Sequence, residues 1–143
     1  MSYDCADWHY GGKYPQGLPR ENGGTHIGIF LAWAILNGLE GEELQEDSSA
    51  ALAAVRERQM TGRQFLFREC DEKLVDCHLN EEGNGFAEHY YSRPEWLYMK
   101  DYKHVMVGAL PSLYHVEDTW DNYDKMAAVI TQRFDEWRHT HDV

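Results

Sequence analysis

The stretch TWDNYDKMAAVITQRFDEWRH, Thr119 to His139, decides the fold. Within it Trp120, Tyr123, Ala127, Ile130, Phe134 and Trp137 recur at intervals of 3, 4, 3, 4 and 3 residues, which places all six along one side of an α-helix about 30 Å long. A coiled-coil partner seam would need the repeat to run further, so this pattern is read as the core-facing side of a terminal helix. Such a helix needs other helices to cover it.

Ile27, Phe30, Leu31, Ala34 and Ile35 follow the spacing of one buried helical face, with Thr25 as its expected N-cap and Asn37-Gly38 as its end. Trp33 and Leu36 are apolar on other faces, so this helix is expected to be central. Glu40 to Asp47 reads as an acidic loop with five carboxylates and no base. Ser48 or Ser49 then caps a helix to about Gln59, with Leu52 and Val55 inward. Thr61-Gly62-Arg63-Gln64 matches a capping box, and the helix it opens is expected to reach Cys77 with Leu66, Cys70, Leu74 and Cys77 on one side. Asn80 caps a further helix bearing Phe86, Tyr90 and Tyr91, and Pro94 fits the first turn of another bearing Trp96, Leu97 and Tyr98. Alternation at period two is scarce, and a short strand has room only within Tyr102 to Leu110. The reading is therefore a mainly α, single-domain, compact bundle of about five to six helices. Residues 1–24, with five glycines, Pro15, Pro19 and the cluster Trp8, His9, Tyr10 and Tyr14, form an irregular arm. Its rings expect it to be packed on the body, and Gly11-Gly12 and Gly23-Gly24 mark its turns.

At 143 residues the chain can bury a core without a metal or disulfide, and its apolar fraction of 43% is ordinary for a folded domain. Thirteen basic against 25 acidic residues leave a net charge of −12, which repels nucleic acid and anionic lipid and attracts a basic protein surface. Neither nucleic acid nor membrane is an expected partner. Cys70 and Cys77, about 10 Å apart on the expected helix, lie beyond disulfide reach. With Cys5 they read as free thiols of a reducing compartment. No leader pattern is visible and Ile27 to Leu36 is too short to span a bilayer, so a cytoplasmic protein is expected.

No high-specificity catalytic motif is present. The eight histidines lack the helical His-Glu-His or paired-Cys spacing of zinc sites, so neither metal nor cofactor is expected. Gly23-Gly24-Thr25-His26 lacks the lysine of a phosphate loop, and the acidic run after Tyr114 fits a helix start better than a calcium loop. One constellation remains: Asp7, Trp8, His9 and Tyr10; His26; and Tyr114, His115, Glu117, Asp118 and Trp120. If the arm folds over the helices, these residues can share a polar pocket that binds a partner or ligand.

The segments DWHYGG, THIGIFLAWAILNGLEGE, MTGRQFL, DEKL, LNEEGNGFAEHYY and LPSLYHVEDTWDNYDKMAAVITQRFDEW resemble a family of small acidic bacterial proteins of unknown function. The resemblance implies a bacterial cytoplasmic protein and brings no activity or catalytic residue with it. In size and charge such proteins are similar to immunity proteins that neutralise toxins of interbacterial competition. The expected function is thus a protein-binding module, an immunity protein or antitoxin that offers carboxylates of Glu40 to Asp47 or Glu117 to Asp124 to a basic toxin. The alternative is a small-ligand binder or enzyme using His9, His26, Tyr114, His115 and Asp118.

Overall fold

A computed structural model describes residues 2–10 and 14–141. The expected Gly11-Gly12 turn lies outside the described residues. The architecture is mainly helical, with seven α-helices and one two-stranded sheet among the described residues.

Helix α1 (Thr25–Leu36) is the axis of the molecule, and Thr25 through Ile35 are buried on every side. Its sequence has no polar stripe, so it can only be stable enclosed. It packs against α3 (Ser49–Arg56), α4 (Gly62–Glu69) and α7 (Trp120–His141). The cap position is Gly24 rather than Thr25, whose hydroxyl instead accepts a hydrogen bond from Arg63 at 3.2 Å. Asn37 closes the helix and Gly38 follows at φ +72°, as the glycine signal predicts.

The terminal helix α7 has the expected extent, but its fully buried spine is Tyr123, Met126, Ile130 and Phe134. Trp120, Ala127 and Trp137 flank that spine half-buried and pack against the core. An apolar stripe on a straight helix drifts relative to a strict seven-residue repeat, so Met126 replaces Ala127 at the centre. Trp33 of α1 donates its indole N–H to Thr131 of α7 at 3.0 Å. Phe30, Trp33, Phe86 and Phe134 meet at centroid distances of 5.1 to 6.2 Å, in tilted, stacked and edge-to-face pairs.

The capping box at Thr61 and Gln64 is formed in both directions, at 3.2 and 3.0 Å. The Asn80 side chain caps α5 (Glu81–Tyr90) by accepting from Gly83 N at 2.8 Å. Elsewhere the expected boundaries are corrected. The acidic segment is not a loop: Glu42–Asp47 forms α2, anchored by buried Leu44. The helix after Thr61 stops at Glu69 rather than Cys77, because Asp71 and Glu72 both take left-handed φ values of +52° and +63°. The chain then forms β2 (Lys73–Val75), and Cys77 is exposed in a short 3-10 turn instead of facing the core. All three cysteines are free. α6 (Leu97–Tyr102) begins after Pro94 and after Trp96, whose φ is +46°. The one place left open for a strand is instead a π turn, Lys103–Val107, that continues α6.

The arm is ordered in part by a strand. β1 (Ser2–Cys5) pairs antiparallel with β2, Asp4 opposite Leu74 and Cys5 opposite Lys73, with an irregularity between Ser2 and Asp4. Tyr3, Asp4 and Cys5 are all buried. A 3-10 turn at Ala6–His9 and another at Arg20–Gly24 carry the chain to α1. No helix among the described residues is long and apolar enough to cross a membrane.

Candidate functional site

The site is built around one carboxylate. Asp4 is 0% exposed, although strand β1 is otherwise apolar after Ser2. A buried charge survives only if its lone pairs are satisfied, and Asp4 has four close donors. Oδ1 accepts from Cys5 N at 2.8 Å and from His9 Nε2 at 2.9 Å. Oδ2 accepts from His26 Nε2 at 3.0 Å and from the Tyr91 hydroxyl at 2.6 Å. The Arg93 guanidinium stands further off, 3.8 Å from Oδ1. Each donor comes from a different part of the fold: His9 from the first 3-10 turn, His26 from the first turn of α1 and Tyr91 from the end of α5. Tyr114, in the 3-10 turn Leu113–His115, closes the ring, its hydroxyl 2.9 Å from His9 Nδ1.

Electrostatics follow from burial. Desolvation pushes the Asp4 carboxyl up, but the hydrogen bonds from His26 and His9 outweigh it and hold the group ionised, well below the usual carboxylate range. Burial depresses the pKa of His26, and Asp4 only partly counters it, so the imidazole is neutral. Burial and the Asp4 charge keep the Tyr91 phenol protonated. An ionised carboxylate only accepts, so hydrogen bonding assigns a proton to each Nε2 and leaves His9 Nδ1 to accept from Tyr114. His26 Nδ1, Trp96 Nε1 and Tyr102 OH are buried without a hydrogen-bond partner, and the Trp96 and Tyr102 rings lie 6.2 and 6.0 Å from the His26 ring.

Of the residues expected at a shared pocket, the fold brings His9, His26 and Tyr114 together. The other seven stand elsewhere. Asp7 pairs with Arg20 at the surface at 2.9 Å, and Trp8 is 54% exposed with the Arg93 guanidinium 5.5 Å from its ring. Tyr10 donates to the Arg20 carbonyl. His115 Nδ1 pairs with Ser112 Oγ at 2.8 Å. Glu117 is exposed, and its carbonyl accepts from Asn122. Asp118 accepts from Thr61 at 2.7 Å and pairs with Arg63 at 3.3 Å. Trp120 packs on Tyr123 at 5.0 Å beneath Arg58.

Two members of the cluster were not anticipated, Asp4 and Tyr91. Tyr91 reads as core from its spacing. Asp4 had a usable signal: an acid inside the otherwise apolar run Tyr3-Asp4-Cys5-Ala6 is stable there only when paired.

Chemically, the arrangement offers a carboxylate–imidazole pair but no open face. His9 is 8% exposed and His26 is 0% exposed, so a diffusing substrate has no approach to either ring. A surface hollow of about 270 Å³ is lined by Ser2, Tyr3, Trp8, Ser92 and Arg93, and Arg93 links it to the outer side of the cluster. Asp4, His9 and His26 each present one ligand atom within 4.8 Å of the others, so they are also a candidate set of metal ligands.

The sequence model of a family described as a domain of unknown function (DUF7832) matches residues 2–116. The chain belongs to that family. The match contains every member of the buried cluster and ends before α7. No curated protein and no solved structure matches the chain.

Proposed function

We propose that this DUF7832 protein is a binding module for a basic protein partner. Specifically, we infer a bacterial, cytoplasmic immunity protein or antitoxin whose partner is a toxin. The observation that carries this reading is a contrast in charge. Among the described residues the buried cluster of Asp4, His9 and His26 is enclosed, whereas Glu42, Glu43, Glu46 and Asp47 of α2 are exposed. Among the described residues none of these four carboxylates is ion-paired. Arg56 is held by the buried carboxylate of Glu40.

The patch extends beyond α2. An isolated bridge joins Glu40 to Leu79, and Gly41 N donates to the His78 carbonyl at 3.0 Å, which sets exposed Glu81 beside the helix. In the second acidic stretch, Glu117 to Asp124, two of the four carboxylates are neutralised within the chain. Asp118 meets Arg63 at 3.3 Å and Asp124 meets Arg58 at 2.6 Å. Exposed carboxylates on a chain of net charge −12 steer a basic surface inward and raise its association rate.

The test is co-purification with the product of a neighbouring toxin-like reading frame, followed by charge reversal. E43K/E46K on α2 should slow association about tenfold at low salt and flatten its salt dependence, while leaving the fold intact. A chain that captures no such product, or a complex indifferent to that reversal, overturns the reading.

A second reading, binding of a small ligand, is favoured by the convergence of His9, His26 and Tyr114 on Asp4. Because the cluster is enclosed, a ligand that fits there is no larger than an ion.

A further inference from the structure

We propose that Asp4, His9 and His26 bind one divalent transition-metal ion of the zinc class, and that the ion fastens the N-terminal arm to α1.

The distances carry this assignment. His9 Nε2 lies 2.9 Å from Asp4 Oδ1, His26 Nε2 lies 3.0 Å from Asp4 Oδ2, and the two Nε2 atoms are 3.2 Å apart. Nitrogen and oxygen ligands at about 2.0–2.1 Å from one ion, with angles between about 90 and 109°, stand roughly 2.9–3.4 Å from each other. All three separations fall within that range, with His9 on Oδ1 and His26 on Oδ2 of the carboxylate.

Hydrogen bonding and metal ligation ask different proton positions of these atoms. If both Nε2 atoms are protonated, each donates to its own Asp4 oxygen, His9 to Oδ1 and His26 to Oδ2, with the two nitrogens 3.2 Å apart. If either Nε2 is bare, its lone pair faces a carboxylate oxygen at 2.9 or 3.0 Å. A bare Nε2 is stable beside that oxygen only with a cation between them, in a site that is almost entirely shielded from water. With a cation at the centre, all of these lone pairs converge on positive charge.

The surroundings suit this role. The Tyr91 hydroxyl and the Cys5 amide orient the carboxylate, at 2.6 and 2.8 Å. The Tyr114 hydroxyl, 2.9 Å from His9 Nδ1, can accept the proton that sits there once Nε2 is a ligand. His26 Nδ1 lacks a protein partner whichever nitrogen carries the proton, so it does not discriminate. Arg93, the one base near the carboxylate, is stacked on Trp96 at 3.9 Å and 40% exposed, so water screens its repulsion. Two imidazoles with a carboxylate select zinc, iron, cobalt or nickel over calcium and magnesium, which take oxygen ligands. Among the described residues this is the one group of three His, Cys, Asp or Glu side chains with ligand atoms so close.

The experiment uses the full chain, stripped with chelator and titrated with Co²⁺ and with Zn²⁺. Expected are visible cobalt bands that saturate at one ion per chain, a higher Tm with either metal, and a Zn²⁺-induced shift of two imidazole Nε2 resonances in a long-range ¹H–¹⁵N spectrum. H9Q and H26Q should each lose saturable cobalt binding, and H115Q should keep it. Should a ligand variant fail to fold, the wild-type spectrum decides alone, because the two shifted rings must be His9 and His26. No saturable binding by the wild-type chain, shifts confined to other histidines, or a folded H26Q that still binds cobalt in the same way would each overturn the assignment.

Discussion

Gly28 of α1 and Gly62 of α4 meet backbone to backbone. A Cβ on Gly62 would run into the Gly28 carbonyl, and a Cβ on Gly28 would run into the backbone of Gly62 and Arg63. This close approach brings the start of α4 against the first turns of α1, where Arg63 reaches Thr25. His26 therefore sits in the cluster on a turn fixed by two residues that have no side chain.

Alanine at either position should be costly, since neither backbone can yield and both sites are buried. G28A and G62A are each expected to lose about 2–4 kcal/mol, the range of severe overpacking. Urea denaturation measures it. A G62A chain as stable as wild type would show that the helices can separate freely.

Acid stability should depend on Asp101. Its carboxylate accepts from Arg133 Nε at 2.8 Å, Arg133 Nη2 at 3.0 Å and the Tyr90 hydroxyl at 2.6 Å. Burial pushes this carboxyl up, yet those donors outweigh it and hold the pKa below the ordinary carboxylate range. The unfolded chain then binds the proton first as pH falls. The stabilisation is fully present above about pH 4 and is lost progressively as pH drops through the depressed folded value. D101N should be less stable at pH 7 by about 1 kcal/mol, and its stability should fall less steeply than wild type between pH 4 and 2. Parallel curves for the two proteins would remove Asp101 from the account.

Thiol chemistry separates the three cysteines. Cys5 and Cys70 are buried and Cys77 is exposed. Burial, with the neighbouring charges of Glu69 and Cys77, pushes the Cys70 thiol up to about 12. Partial burial and the Glu43 hydrogen bond raise Cys77 as well, so it should react more slowly than a free thiol. A disulfide reagent at pH 8 should label Cys77 alone in the native protein, and C77S should abolish the fast phase. Comparable native-state labelling of Cys70 would contradict its placement.

The legible parts of this fold are those where one local rule sufficed. The capping box at Thr61, the Asn80 cap, Gly38 at the end of α1 and the long period of α7 each needed only a few neighbouring residues. The break at Asp71-Glu72 was not legible, because two acidic residues adopt left-handed φ with no glycine to announce them. Both strands were missed for a related reason: four and three residues are too short to show period two, and their pairing spans some seventy residues of chain. The cluster was half legible. His9, His26 and Tyr114 stood out as titratable groups beside turns, while Asp4 became visible only once β1 placed it beneath them. His115 sits directly after Tyr114, but in its short turn the two side chains point to different partners.

Phe86 should be the most sensitive aromatic position. It is fully buried, and its ring lies within 5.1 to 6.2 Å of Phe30, Trp33, Tyr90, Phe134 and Trp137, so it joins α1, α5 and α7. F86A removes a ring that rigid neighbours on three helices cannot replace by collapsing, and about 3–5 kcal/mol should be lost. W137A should cost clearly less, since that ring is only half-buried at the rim of the same cluster. Thermal melts of the two variants, followed by near-ultraviolet circular dichroism, compare them directly. If W137A proved the more damaging, the load would lie at the rim, and the enclosed position of α1 would not be what holds α7 in place.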